Sequence, residues 1–552
     1  MNFSKNTVNI IFLLIIFTGL GLRGINLTVG FPMLYLSNDE AVYHFSALNM
    51  IANKTLFTLG NYGPLGSYIQ IPFLALGYVV LYLSGKVDSI AGMQLLLTTQ
   101  EGYFLFVPRI ISALFGTLTI LSTYKISLEL FKNKYAALWS GFLVAVSFSL
   151  VHVSHLARPW SPALLFSSLT ILFAIKSIDH KRRNFRNTLL AFVFSAIAFG
   201  FHQITGLVVI FLILVYVKKP LTSTFSKKYI FSFSTWIFLI IVFNYLSLGG
   251  NIFQVFGHQN TSSLNLIRSP SYWFTQSPNE LLSTLVGNLK VFWNLILAEG
   301  LILLLALYGF FKEKIHSHFK IGFIFLFITN IFLALFIFPA ILRYLLPSIV
   351  LLPIFAGIAM HRLLKNRSLV FVAFIIFLAS FNSIYWNYLI TRTPTFMQMR
   401  QWLDNNIDAK TPIASTSYRK VGYVPSAEAS EPIRKFRPGY YMKAANLIKA
   451  NDYPYNVRNI LYLESFNRKT KLENLDAGLT VFPAEYIIDA YFKNTDRLLD
   501  MRTDFELIAH FSPTDNSIHE QRIPELFFDS GHVFPLFILD RPGPYFDIIK
   551  IK

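Results

Sequence analysis

The stretch FLFVPRIISALFGTLTILSTY, residues 104–124, runs for 21 residues with one charged side chain, Arg109. About 20 apolar residues in a helix cross a hydrocarbon core of about 30 Å, so this stretch reads as a transmembrane helix. Comparable runs recur on either side of it, near 8–27, 135–153, 161–178, 188–217, 229–248, 291–311, 321–340, 344–361 and 369–390. Composition agrees: 54% of the 552 residues are hydrophobic, 14% are charged, Phe alone occurs 56 times, and mean hydropathy is +0.50. An average soluble domain carries about 25% charged residues. The chain is therefore a polytopic membrane protein.

The formal net charge of +19 raises the question of an anionic partner, and its distribution answers it. Residues 1–390 hold 27 Lys and Arg against 9 Asp and Glu, whereas 391–552 hold 21 against 20. The excess lies in short loops between apolar runs, which is the positive-inside pattern and not a nucleic-acid surface. Five basic loops, Lys125–Lys134, Lys176–Arg186, Lys218–Lys228, Lys312–Lys320 and Arg362–Arg367, contain 18 of these cations and are expected in the cytoplasm. There is no cysteine, so redox chemistry says nothing about the compartment. The run from Val8 to Leu27 lacks a small-residue cleavage site and reads as a retained first helix.

Keeping all five basic loops on one side fixes two ambiguous runs. Leu189–Val217 is too long for one helix, and a hairpin turning at Gly200-Phe201-His202-Gln203 keeps the basic residues before and after it together. Ser67–Ser84, counted as a span, would invert every later loop, so it reads as a re-entrant or surface-lying helix. The outcome is about eleven transmembrane helices with the N-terminus cytoplasmic. It leaves external loops at 28–103 and 249–290, and an external part at 391–552 in which apolar runs shorten and charges of both signs appear. That last part reads as a small α/β domain with strands near Pro535–Leu539 and Tyr545–Ile551. Residues 1–390 form the membrane domain, and no internal repeat is visible.

The first external loop contains Asn38-Asp39-Glu40-Ala41-Val42-Tyr43-His44, opening a helix with Ala41, Phe45, Leu48 and Ala52 on one stripe. Ser37-x-x-Glu40 satisfies the capping-box pattern, which alone accounts for an acid here. The alternative is functional: two of only nine acids in the membrane half stand side by side next to the bilayer, where charges are costly and those retained tend to do chemistry. Arg109, Arg158 and Arg343 all fall at expected outer helix ends, either as interfacial anchors or as anion ligands. His152-x-x-His155 puts two imidazoles on one helical face, but without cysteine or a clear third ligand it does not specify zinc.

An acidic pair soon after the first span resembles the Asp-Glu motif of GT-C-type, polyprenyl-phosphate-dependent glycosyltransferases, which include the protein O-mannosyltransferases and the lipid A aminoarabinose transferases. Further stretches agree in order. Tyr62-Gly63-Pro64-Leu65 is similar to the element entering that family's second membrane-associated helix, and Arg109–Phe131 resembles its Arg-x-x-Ser-Ala-Leu-x-Gly helix. His155-Leu156-Ala157-Arg158-Pro159 resembles its Ala-Arg-Pro turn, and Arg343-Tyr344-Leu345-Leu346-Pro347 its late Arg-Tyr-x-x-Pro helix start. Trp402-Leu403-x-x-Asn406 and the closing Gly-Pro-Tyr-Phe-Asp-Ile-Ile at 543–549 resemble the appended external domain. One departure is Trp160, where many relatives carry an acid or a tyrosine after Ala-Arg-Pro.

The resemblance implies a GT-C-like fold, with a catalytic domain at 1–390 and an extracytoplasmic domain at 391–552. It implies transfer of a sugar from a polyprenyl-phosphate donor to an acceptor glycan, lipid or protein at the external, periplasmic face of the cell membrane. Asp39 matches the catalytic acid position and is expected to be the general base of an inverting displacement, with Glu40 second. Arg343, Tyr344, Arg158, Arg109 and His202 are the expected phosphate ligands, and Tyr62 and Trp160 the expected lining of the substrate and lipid groove. No metal or other cofactor is indicated, because cations can hold a monophosphate leaving group. A surface-polysaccharide polymerase or ligase is the alternative within the same chemistry. Its usual later external loop here holds one acid, Glu280, and two basic residues, Arg268 and Lys290. A lipid or sugar transporter is the alternative from another class; the absence of repeated halves and a single mid-span acid, Glu299, speak against it.

Overall fold

The computed structural model describes residues 4–29, 40–58, 63–99, 104–178, 185–217, 223–247, 277–315, 317–337, 342–365, 367–417, 421, 423–426, 429, 457–463, 470–491, 497–514, 539–541 and 543–552. The chain begins with α1 (Lys5–Gly24), whose first turn is capped by the Ser4 hydroxyl accepting from the Thr7 amide. Then come α2 (Glu40–Asn53), α3 (Leu65–Tyr68), α4 (Ile71–Leu83) and α5 (Ile90–Thr99). The long α6 (Phe106–Phe131) ends at Lys132, which adopts a left-handed conformation (φ 51°), and Asn133 then caps α7 (Lys134–Val146) by accepting from Tyr135 and Ala136 amides. That short turn folds α7 back antiparallel to α6. A break of 53° separates α7 from α8 (Phe148–Ser154).

Beyond it lie α9 (Trp160–Ile178), α10 (Phe185–Phe201), a 3-10 turn (Gln203–Leu207), α11 (Val208–Val217), α12 (Ser223–Ser247), α13 (Pro278–Lys312) and α14 (Ser317–Phe332). A 3-10 turn (Leu342–Leu345) enters α15 (Leu346–Ile349), which bends by 55° into α16 (Leu352–Leu364), and α17 (Leu369–Thr391) closes the bundle. The hairpin expected at 200–203 is present: α10 ends at Phe201, and the chain restarts in the turn from Gln203.

Among the described residues, seven helical segments are long and apolar enough to cross a membrane, nine if each bent pair is one span, and three more apolar helices are shorter. All eleven expected spans are in this set, and the twelfth member is Leu65–Leu83. That helix has the length and composition of a span, and its first turn lies at the same bend as α6. A Cβ on Gly66 would lie 3.1 Å from Pro159, and Ser112 on α6 donates to the Arg158 carbonyl at 3.5 Å, so both helices touch the same bend. Close packing through glycine holds other helices together: a Cβ on Gly309 would run into the Phe355 backbone, and one on Gly357 into the Ala136 carbonyl 2.6 Å away.

The C-terminal domain is the expected α/β unit. Its five-stranded sheet has the order β4-β1-β5-β7-β6, from β1 (Ile413–Ser415), β4 (Ile460–Tyr462), β5 (Tyr486–Tyr491), β6 (Phe505–Phe511) and β7 (Tyr545–Ile551), while β2 (Val424–Pro425) and β3 (Val457–Arg458) form a separate parallel pair. Strands β4, β1 and β5 run parallel, and β7 pairs antiparallel with β5 and β6. Side chains alternate between faces. Ile413, Ile488, Phe546 and Ile548 pack with α18 (Thr395–Asn406), while Ala414, Leu461, Ile487 and Ile549 pack with α19 (Lys471–Val481). The strand expected at Pro535–Leu539 lies outside the described residues except for Leu539, and the one at 545–551 is β7. The domain docks on the bundle through Tyr385, whose hydroxyl donates to Leu539 O at 3.3 Å, and through Tyr491 and Tyr545, which join the apolar cluster containing Trp386. The Asn26 side chain, just beyond α1, donates to Ile390 O, so this is the end of the bundle where α1 finishes.

Candidate functional site

The same end of the bundle gathers most of the expected polar residues. The bend His155–Pro159 is tied to α6 by Ser112, which bonds the Val153 and Arg158 carbonyls and, at 3.1 Å, the Ser161 hydroxyl. This bonding turns Arg158 inward, where it is 95% buried. Arg158 stands between two clefts. One is lined by Ser149, His152, Trp160, Leu342, Arg343 and Leu346; the other by Gly66, Gln70, Pro108, Pro159, Pro162 and Phe201.

In the first cleft, the Arg343 guanidinium lies 5.3 Å over the Tyr344 ring and 3.4 Å from its hydroxyl. Trp160 stacks on His202 with centroids 3.8 Å apart and meets Tyr344 edge-on at 6.4 Å. His202 sits at the turn between α10 and the 3-10 turn, outside both helices. Burial first, then the positive charges of Arg343 and Arg158, push its pKa down to about 3. It lies beside the Arg343 and Arg158 guanidiniums. Two guanidiniums thus stand close to an indole, a phenol and an imidazole at this end of the bundle.

The second cleft leads toward the acidic motif. Gln70 donates to Gly66 O at 2.9 Å and its carbonyl lies 3.2 Å from His44 Nδ1, and Tyr43 packs on Gly66. These contacts hold α2, whose first residue is Glu40, beside the Arg158 bend. The buried face of α2 is Tyr43, His44, Ala47 and Met50. Ser46 is buried beside them and Leu48 is half-buried; the side chains of Ala41, Phe45 and Ala52 in the expected stripe lie outside the described residues. Asp39 and Tyr62 lie outside the described residues, as does the side chain of Glu40.

The structure thus brings together Arg158, Arg343, Tyr344, Trp160 and His202. Arg109 makes other contacts among the described residues. It is fully buried and donates to the Leu27 and Val29 carbonyls at 2.9 and 2.7 Å, tying α6 to the chain that leaves α1. Its guanidinium serves backbone carbonyls at the root of the acidic loop. Two contributors were not singled out as site residues from sequence. His152 lines the Arg158–Arg343 cleft, and its only signal was the histidine pair. Gln70 bridges α2 and α3, and its signal was an amide inside an apolar run. His155 of that pair places Nδ1 3.0 Å from the Val151 carbonyl, and no three His, Cys, Asp or Glu converge for a metal among the described residues.

These features define a polytopic membrane protein with a cluster of charged side chains at two helix bends. Residues 94–247 match the family model described as dolichyl-phosphate-mannose-protein mannosyltransferase, a range that includes the Arg109 helix and the Arg158 bend. Among solved structures, the chain is similar to the oligosaccharyltransferase of Archaeoglobus fulgidus in the apo form, with 14% identity over 88% of this chain and 70% of that one and a TM-score of 0.47. It is also similar to ArnT from Cupriavidus metallidurans bound to undecaprenyl phosphate, with 12% identity, 92% and 97% covered and a TM-score of 0.44. The mycobacterial arabinofuranosyltransferase AftD aligns over 100% of this chain and 42% of its own, at 11% identity and a TM-score of 0.40. No curated protein matches the sequence. The expected resemblance to GT-C-type glycosyltransferases therefore rests on the family match at 94–247, joined to a multi-span helical fold with a small C-terminal sheet domain.

Proposed function

We propose that this chain is a membrane glycosyltransferase that moves a sugar from a polyprenyl-phosphate donor to an acceptor glycan, lipid or protein on the extracytoplasmic side of the cell membrane. The observation that carries the reading is the placement of Arg158, with Arg343 in the cleft on one side, next to Tyr344, and Gln70, which bonds His44 of α2, in the cleft on the other. The family match over residues 94–247 supports it.

In this reading Arg343 and Arg158 hold the donor phosphate, the Tyr344 hydroxyl donates to it, and His202, fixed by Trp160, offers a further donor. The carboxylate of Asp39 accepts the proton of the acceptor hydroxyl as its oxygen bonds to the anomeric carbon, and Glu40 caps α2 or orients the acceptor. The bond from that carbon to the phosphate oxygen breaks, with inversion, and the polyprenyl phosphate departs carrying the electron pair. Charge building on the phosphate meets cations already in place, so the transition state gains more than the ground state. No metal is required, since two guanidiniums match a monophosphate bidentately. The domain at 391–552, docked at the site's end of the bundle, shapes the acceptor side.

Purified wild-type protein should bind a short-chain polyprenyl monophosphate and not the corresponding polyprenol. Arg343→Ala should weaken that binding on the order of 10- to 100-fold, as expected for a lost charge-assisted bond of about 1.5–3 kcal/mol. Arg343→Lys should recover part of it, because a point charge replaces a fork. Equal binding of phosphate and alcohol, in wild type and variant alike, would remove the basis for this site.

A further inference from the structure

The kink between α7 and α8 lies within the bundle, where no water can satisfy the backbone groups it frees. Ser147 makes the break with an extended ψ of 122°. On the α7 side, the carbonyls of Val144, Ala145 and Val146 lose their helical donors. Arg23 of α1, fully buried, donates to Val144 O at 2.8 Å and Ala145 O at 2.9 Å, and Ser383 of α17 donates to Val146 O at 2.6 Å. On the α8 side, Glu299 of α13 accepts from the Ser149 amide and the Ser147 hydroxyl, both at 2.7 Å. Glu299 is 98% buried and is itself a break in its own helix (φ −130°, ψ 18°); Asn382 of α17 donates there to the Leu297 and Ala298 carbonyls.

A cation therefore stands at the negative end of α7 and an anion at the positive end of α8, each matched to the dipole of the helix it caps. Space is kept for the cation, since a Cβ on Gly116 would lie 3.1 Å from Arg23 Nε and one on Gly19 3.3 Å from its Nη1. The short α8 carries His152 and runs directly into the bend that presents Arg158, and Ser149, whose amide Glu299 holds, lines the same cleft.

We propose that Arg23 and Glu299 are positioning residues: a buried pair of opposite charges that fixes the direction of α8 and so places Arg158 and His152 across from Arg343. The claim that this placement serves anion binding rests on the function proposed above; the claim that the pair fixes the break does not.

Amide hydrogen exchange over residues 144–158 and affinity for a short-chain polyprenyl monophosphate would be measured on full-length wild type, Glu299→Ala, Glu299→Gln and Arg23→Gln. Leu326→Ala, in a buried part of α14 away from the break, serves as a control for general loss of stability. Glu299→Ala and Arg23→Gln should raise exchange across 144–158 at least tenfold and weaken binding at least tenfold. Glu299→Gln, which keeps a carbonyl oxygen at the cap but loses the charge, should lie between Glu299→Ala and wild type in both, and Leu326→Ala should change neither selectively. Exchange unaltered by the loss of either charge would overturn the clamp. Raised exchange with unaltered affinity would overturn its positioning role. Wild type that binds no polyprenyl phosphate while exchange responds as expected would overturn the function reading and leave the clamp standing.

Discussion

Arg109 and Arg343 illustrate what a single residue reveals before its neighbours are known. Both are arginines at helix starts, and both were expected at the phosphate; one faces a cleft beside a phenol and the other donates to two carbonyls some 80 positions earlier in the chain. Nothing local distinguishes them, because the discriminating partners are backbone groups brought in by tertiary packing. The acidic motif stood out by scarcity of charge, but Asp39 and the Glu40 side chain lie outside the described residues; Trp160 is the stacking partner of His202, a pairing that separation in sequence concealed. His44 gives a prediction at this scale. It is fully buried, and burial, opposed by its bond to Gln70, lowers its pKa from 6.5 to about 4. The unfolded chain then takes up this proton first, so the contribution of His44 to stability is intact above pH 6.5 and is lost as pH falls toward 4, at about 1.4 kcal/mol per unit. Thermal unfolding in detergent between pH 7.5 and 4.5 should show a shallower loss for His44→Gln than for wild type; parallel curves would contradict the assignment.

At the scale of elements, hydrophobic runs identified the helices well, because length and apolar content are dictated by the bilayer and not by neighbouring elements. The breaks were harder to read. The run at 135–153 showed no proline or glycine pair at its bend, and the 53° break at Ser147 exists because Arg23, Ser383 and Glu299 arrive from three other helices to satisfy it. Likewise α13 starts at Pro278, ahead of the span expected from 291, since its first turns are too polar to register as membrane-spanning. Close helix contacts were equally hidden. Gly357 approaches the Ala136 carbonyl and the Ser140 amide, and Gly309 meets the Phe355 backbone, none of which can yield as a flexible side chain would. Gly357→Ala and Gly309→Ala should each lower the thermal midpoint by several degrees, corresponding to about 1–3 kcal/mol of overpacking. Gly21→Ala, where an added methyl meets nothing within 4 Å, should leave the midpoint unchanged or slightly raised.

For the whole molecule, the division into a basic membrane half and a charge-balanced C-terminal domain was visible in the distribution of Lys and Arg alone. The sheet order was not, because β1, β4, β5 and β7 are brought together from positions far apart in the chain. The account places the His202 turn, the Arg158 bend and the C-terminal domain on the side opposite the five basic loops. The chain has no cysteine, so single cysteines report accessibility without background. Cysteines at exposed Gln203 and Glu506 should react with a membrane-impermeant maleimide added outside intact cells. A cysteine at exposed Lys132 should react only after the membrane is opened. Labelling of all three from one side would overturn the topology.

The central claim is that Asp39 takes the proton of an acceptor attacking a polyprenyl-phosphate sugar. Sugar release and transfer would be followed from a panel of radiolabelled polyprenyl-phosphate sugars, using purified wild type, Asp39→Asn and Glu40→Gln, each checked for folding and donor binding. The account predicts that wild type turns over at least one donor, that Asp39→Asn lowers kcat by a factor of about 100–10,000 with donor affinity retained, and that Glu40→Gln keeps measurable turnover. Asp39→Asn as active as wild type would contradict it and reduce the acidic pair to the cap of α2.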